Sequence, residues 1–157
     1  MKKILFGLII FGILISCNST DDNDCCVNVD IGIDVTYRNA EGLSLFEIDN
    51  GYNEANITIY HKINGEWKLY YNGNLDAPKG ITVADGEHGK YLSILPSTNI
   101  DQNNYSETKI QFSESDFDII KTEIDQSNSN TTVTKVWYNA VLKWEAYESE
   151  RMFEIIK

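Results

Sequence analysis

Apolar and polar residues alternate strictly near the start of the mature-looking part of the chain. Val27, Val29, Ile31, Ile33, Val35 and Tyr37 interleave with Asn28, Asp30, Gly32, Asp34 and Thr36. Six apolar positions at period 2 predict a half-buried strand. At about 3.3 Å per residue it would run about 36 Å, which is long for one strand, so a bend is expected at Gly32. Arg38 to Gly42 has turn composition, and Leu43, Leu45 and Phe46 return to the core. Further strands are predicted at 80–84, 90–95, 108–112, 119–124, 132–138, 141–144 and 152–156. Turn-forming stretches at 85–89, 96–104 and 126–130 separate them, and Asn139-Ala140 falls where a tight hairpin turn belongs. Beyond Ser16 the chain has no sustained helical apolar period and no fixed-length repeat. Eight or nine short strands spaced about ten residues apart point to an all-β, antiparallel sandwich over residues 27–157. An Ig-like or transthyretin-like Greek key is the expected topology.

One hairpin carries a register argument. Residues 56–62 and 66–71 flank Asn64-Gly65, a hairpin signal. A two-residue loop would pair Ile63 with Glu66, Ile59 with Tyr70 and His61 with Lys68. A three-residue loop with Gly65 as a bulge would pair Ile57 with Tyr71, Ile59 with Leu69 and His61 with Trp67. A one-residue slip exchanges the faces, and only the second register groups the apolar residues. It is therefore the expected one. It turns Trp67, Leu69 and Tyr71 to the core and leaves Tyr60 and Tyr70 together outside, near Lys62 and Lys68.

The segment from Met1 to Cys17 breaks the pattern. Ile4 to Ile15 is an unbroken apolar run behind the positive start Met1-Lys2-Lys3. It is shorter than the roughly 20 residues that a spanning helix needs. Leu14-Ile15-Ser16-Cys17 ends it with a small residue before a cysteine. This resembles the signal peptide and lipobox of a bacterial lipoprotein, which implies removal of residues 1–16 and acylation, palmitate included, of Cys17. Two or more acyl chains hold a protein stably, at about 0.8 kcal/mol per buried methylene. Residues 17–26 then form the lipidated cysteine and an acidic tether, of which Asn18 to Asp24 cannot pack a core. That stretch reaches at most about 24 Å when extended.

Charge narrows the classes of partner. The chain has 13 basic and 24 acidic side chains; without Lys2 and Lys3, 11 basic against 24 acidic leave −13. Such a surface disfavours phosphate backbones, so no nucleic-acid partner is expected. Apart from Cys17, only the adjacent Cys25 and Cys26 remain, too close in Cα spacing for an unstrained internal disulfide. Two inert thiols, an intermolecular bridge or a soft metal site are the readings open to them.

Candidate chemistry is sparse. Gly-x-Ser-x-Gly is absent, and no serine has a motif-like histidine partner. No catalytic residue, cofactor or metal site is expected, and the protein is read as no enzyme. A carboxylate pair set for glycoside hydrolysis depends on spatial geometry that sequence does not give, so a small hydrolase is the lowest-ranked reading. His61 is expected packed beside Trp67. Asp85, Glu87 and His88 form a glycine-flanked turn, either solvated or holding a divalent ion. Asp116 and Asp118, after Glu114, offer calcium-like oxygens or a solvated strand edge. Nine tyrosines and three tryptophans stand out. Tyr60 and Tyr70 are the speculative ligand-binding pair, a platform for a sugar ring or a peptide.

The layout as a whole resembles small cell-envelope lipoproteins of Bacteroidota-type bacteria. The resemblance rests on the Cys17-led acidic tether, on Val35-Thr36-Tyr37-Arg38-Asn39-Ala40-Glu41-Gly42, and on the run from Lys135 to Trp144. It implies lipid anchoring in the outer membrane, facing the periplasm or displayed on the cell surface, and an Ig-like β-sandwich. A non-catalytic binding or structural accessory for an unknown protein or glycan partner is the functional expectation, with the membrane contacted through the lipid. Strand addition by an edge is the competing structural reading.

Overall fold

A computed structural model describes residues 27–157, so the expectations for the signal, Cys17, the tether, Cys25 and Cys26 lie outside the described residues. The described chain is all-β, with no α-helix and two single-turn 3-10 segments. The strands are β1 (Val29–Asp30), β2 (Ile33–Arg38), β3 (Thr58–Ile63), β4 (Glu66–Leu69), β5 (Ile81–Gly86), β6 (Gly89–Ile94), β7 (Tyr105–Gln111), β8 (Phe117–Asp125), β9 (Thr131–Tyr138), β10 (Val141–Glu145) and β11 (Met152–Ile156). They make two sheets. One runs β1-β9-β8-β7-β3-β4, with β10 also on β9; the other runs β11-β2-β6-β5.

Two expectations are corrected here. Among the described residues there are eleven strands rather than eight or nine, and the sheets are mixed rather than antiparallel: β1 lies parallel to β9, and β11 parallel to β2. Both corrections trace partly to the long alternating segment. It does bend at Ile31-Gly32, but the break sends its two halves to different sheets. Val29 pairs with Thr131 in the larger sheet, while Val35 pairs with Phe153 and Leu92 in the smaller one.

The two sheets enclose one apolar core, giving a sandwich-like arrangement. Ile33, Val35 and Tyr37 of β2 and Leu92 and Ile94 of β6 face Ile59, Ile110, Ile120, Ile124, Val133 and Val136 of the larger sheet, all essentially inaccessible to water. In β7 and β8 buried and half-exposed residues alternate along almost the whole strand, as period 2 demands.

The far end of the sandwich is closed by aromatics and an ionic cluster. Tyr52 and Phe112 stack at 4.1 Å, and Tyr37 meets both edge-on. The opposite end is where the described chain begins. Thr131 donates its amide to the Asn28 carbonyl there, beside the turn joining β8 to β9. The Asn64-Gly65 turn and the segment 95–104 lie at this same end, because β3 and β7 run antiparallel, as do β7 and β8.

The β3–β4 hairpin takes the register that apolar grouping argued against. Ile63 pairs with Glu66, His61 with Lys68 and Tyr60 with Leu69, and the Tyr70 amide donates to the Ile59 carbonyl. Asn64 and Gly65 both have positive φ, 53° and 84°, which is the I′ geometry that Asn-Gly favours. β4 is an edge strand with all four residues exposed, so no core side exists to reward the alternative. The turn decides. Trp67, Leu69 and Tyr71 consequently face away from the core, at 36, 61 and 69 % exposure.

Candidate functional site

The outer face of the larger sheet holds the most distinctive surface. Register places its side chains in rows across the strands. Trp67, Lys62, Glu107, Lys121, Trp137 and Leu142 form one row, spanning β4, β3, β7, β8, β9 and β10. Leu69, Tyr60, Lys109 and Ile119 form the next, with Phe117 beyond it. With neighbouring strands about 4.8 Å apart, the two tryptophans are about 19 Å apart.

Ammonium groups sit over the rings of this face. Lys109 Nζ lies 4.0 Å from the Tyr60 ring centre and 5.9 Å from that of Phe117. Lys121 Nζ lies 3.7 Å from the Tyr105 ring and 5.7 Å from that of Trp137. Lys62 stands 5.5 Å over Trp67 and is ion-paired with Glu107. Each exposed pairing of this kind contributes roughly 0.5–1 kcal/mol. Lys135 bridges Glu123 and Glu145, whereas Lys109 and Lys121 form no ion pair among the described residues.

Charge is distributed unevenly. Residues 27–157 carry 11 basic and 21 acidic side chains. On the outer face Lys62, Lys109, Lys121 and Lys135 balance Glu107, Glu123, Asp125 and Glu145. All of the domain's excess negative charge therefore lies elsewhere. The aromatic face is its electroneutral side.

A groove of about 680 Å³ opens from this face at the end where the described chain begins, between the Asn64-Gly65 turn and residues 98–102. Lys62, Glu107, Tyr105 and Lys121 belong to both the groove and the outer face. The wall formed by 95–104 is fastened from beneath. Ser97 donates its amide to Thr108 Oγ1 at 2.7 Å, Ser106 Oγ donates to the Ser97 carbonyl at 2.5 Å, and Ser106 and Thr122 hydroxyls meet at 2.7 Å. These hydroxyls are buried and satisfied, which makes the wall rigid. Asp101 accepts the amides of Asn103 and Tyr105, and those hydrogen bonds hold its carboxyl below the usual range.

The sequence-predicted residues separate. Tyr60 lies on the outer face under Lys109. Tyr70 does not join it: the observed register turns it inward, where it stacks on His61 at 4.3 Å. Gly80, at φ +72°, makes room for that ring, since a Cβ there would come within 2.8 Å of it. His61 is 7 % exposed beside Tyr70 and Lys68 rather than Trp67. Burial lowers its pKa, against a smaller opposing effect of the Leu95 backbone, and its Nε2 has no partner among the described residues. Asp85 is ion-paired with Lys90 at 2.6 Å, and the His88 carbonyl accepts from Arg38.

Asp116 and Asp118 are not a solvated edge. Lys157 Nζ lies 2.6 Å from a carboxylate oxygen of each, Tyr52 donates to Asp116 at 2.7 Å, and Tyr138 and Asn139 donate to Asp118. An ammonium therefore occupies the position that a cation would take. Burial raises the pKa of Tyr37, Tyr52 and Tyr138, so all three keep their protons. Burial works against ionisation of Asp116, but its bonds from Lys157 and Tyr52 prevail and hold its pKa below the usual range. With every member engaged, this cluster ties the end of β11 to the start of β8. Among the described residues no three His, Cys, Asp or Glu side chains converge as metal ligands.

Sequence reasoning missed Trp67, Lys109, Lys121, Phe117 and Trp137 as one surface, because that grouping depends on the hairpin register and on strand order. The legible signal was the period-2 spacing of Tyr60 with Lys62 and of Trp67 with Leu69. No family model, no curated protein and no solved structure matches this chain.

Proposed function

We propose that the protein is a non-catalytic binding module of the cell envelope, anchored in the outer membrane through acyl chains on Cys17 and presenting the outer face of its larger sheet to a partner. The observation that carries this is the coincidence of exposed aromatics with local charge neutrality on one face of an otherwise acidic domain. Interfaces concentrate Tyr, Trp and Phe and deplete uncompensated charge. The fold is read further as an Ig-like or transthyretin-like Greek key, and the tether Asn18 to Asp24 as a spacer reaching at most about 24 Å.

Site-specific photo-crosslinking on intact cells tests the reading. Photoreactive residues at Leu69, Phe117 and Leu142 are expected to give adducts, and residues at Thr82 and Glu87 on the opposite sheet are not. Adducts from both sheets alike, or from neither, would refute the assignment. A second reading has its own observation. The hydrogen-bonding pattern points the free backbone groups of Trp67 and Leu69 outward along the β4 edge, which suits addition of a strand from another chain. In that case adducts would come from β4 alone.

A further inference from the structure

The groove beside Tyr105 narrows the class of partner. We propose that it receives a unit of a neutral polysaccharide, whose chain then runs over the outer face toward Trp137; this rests on the outer-face reading and deepens it. The chemistry of the lining favours a neutral, hydroxyl-rich ligand. Asn64 and Gln102 line the groove, and their side-chain amides hydrogen-bond no described residue. The Lys121 ammonium is likewise without an ion-pair partner there. An amide offers a donor and an acceptor side by side, which matches the paired roles of sugar hydroxyls. Free carboxylic or phosphate groups would instead call for bidentate cations, and no arginine lines the groove.

Charge points the same way. In the groove Lys62 and Lys121 balance Asp101 and Glu107. Beyond these four the domain carries 9 basic and 19 acidic side chains, a net −10, which repels a polyanion once it comes within a Debye length, about 8 Å, of the acidic surface. A neutral chain meets no such barrier. The shape of the groove fits as well. The groove's volume falls within the roughly 300–1,000 Å³ of ligand pockets. Its aromatic side is Tyr105, which meets Trp137 edge-on at 5.7 Å and carries the Lys121 ammonium 3.7 Å over its ring, so ring and ammonium together offer a sugar an apolar edge beside a hydrogen-bond donor. The buried hydroxyl ladder under residues 97–108 fixes the wall before any ligand arrives, which limits the entropy lost on binding.

Isothermal titration of the full-length protein in detergent micelles tests this with four soluble probes: a glucan, a mannan, a galactan and polygalacturonate. At least one neutral polymer is expected to bind, and polygalacturonate at least tenfold more weakly. Gln102→Ala, at an exposed position, and Tyr105→Ala are each expected to weaken binding tenfold or more, with Thr82→Ala as the unchanged control and circular dichroism reporting the fold. Failure of all three neutral polymers would overturn the proposal, as would equal binding of polygalacturonate or indifference to Gln102→Ala. If outer-face crosslinks form while every glycan fails, only the glycan assignment falls. If no outer-face crosslink forms either, the binding face falls with it.

Discussion

Ala140 sits at φ +69° after Asn139 at +46°, a I′ turn with a Cβ where glycine is preferred. The left-handed conformation costs a non-glycine residue roughly 1–2 kcal/mol, partly offset by the entropy that a glycine loses on folding. Ala140→Gly is therefore expected to stabilise the protein by about 0.5–1 kcal/mol in urea denaturation; a loss of stability would contradict the turn assignment. His61 makes a pH prediction. Its folded pKa lies below the ordinary 6.5 because the ring is buried, so the unfolded chain binds the proton more readily. Its contribution to stability is complete above about pH 6.5 and is lost as pH falls below that value. Thermal melting should decline as pH falls below about 6.5, and His61→Phe should flatten that decline. The window lies above that of Asp30 and Asp116, whose depressed pKa values make themselves felt only below about pH 4.

Elements divide into those fixed by burial and those fixed by turns. β2 has one side in the core, and its period-2 alternation identifies it from the sequence alone; β7 and β8 alternate in burial but bury Ser106, Thr108, Asp118 and Thr122 among their apolar residues, and a bulge breaks the period in β9. The β3–β4 hairpin is different. Its outer strand buries nothing, so apolar grouping carries no energy there, and Asn64 with Gly65 sets the register. Hydrogen exchange checks this directly. The amides of Lys68 and Tyr70 should be protected and those of Trp67 and Leu69 fast, since Tyr70 pairs with Ile59 and alternate residues bond to β3. Protection of Trp67 and Leu69 in the isolated protein would mean the other register. At the far end, the position of Lys157 between two carboxylates was not legible. β11 and β8 belong to different sheets, and β9 and β10 intervene in sequence between Asp118 and Lys157. Breaking a fully buried pair costs about 3–5 kcal/mol. Lys157 keeps one-fifth of its side chain in water and Asp118 keeps bonds from Tyr138 and Asn139, so Lys157→Met is expected to cost about 2 kcal/mol. Lys157→Met combined with Asp118→Asn should recover part of that loss in chemical denaturation.

At the scale of the whole molecule, the all-β class follows from alternation and turn spacing, while the mixed sheets do not. A segment that crosses from one sheet to the other looks identical in sequence to one that stays. The groove was equally hidden, since Asn64, Gln102 and Tyr105 meet only through the order β3-β7-β8 and the fastening of Ser97. What the assembled molecule displays is a division of labour: acidity over most of its surface, and rings with balanced charge on one face. Oxidative footprinting, comparing intact cells with purified protein, tests that division most directly. The account predicts that Trp67, Phe117 and Trp137 are protected on cells while the fully exposed Tyr147 is labelled equally in both. Equal labelling of the three outer-face rings in both settings would contradict it.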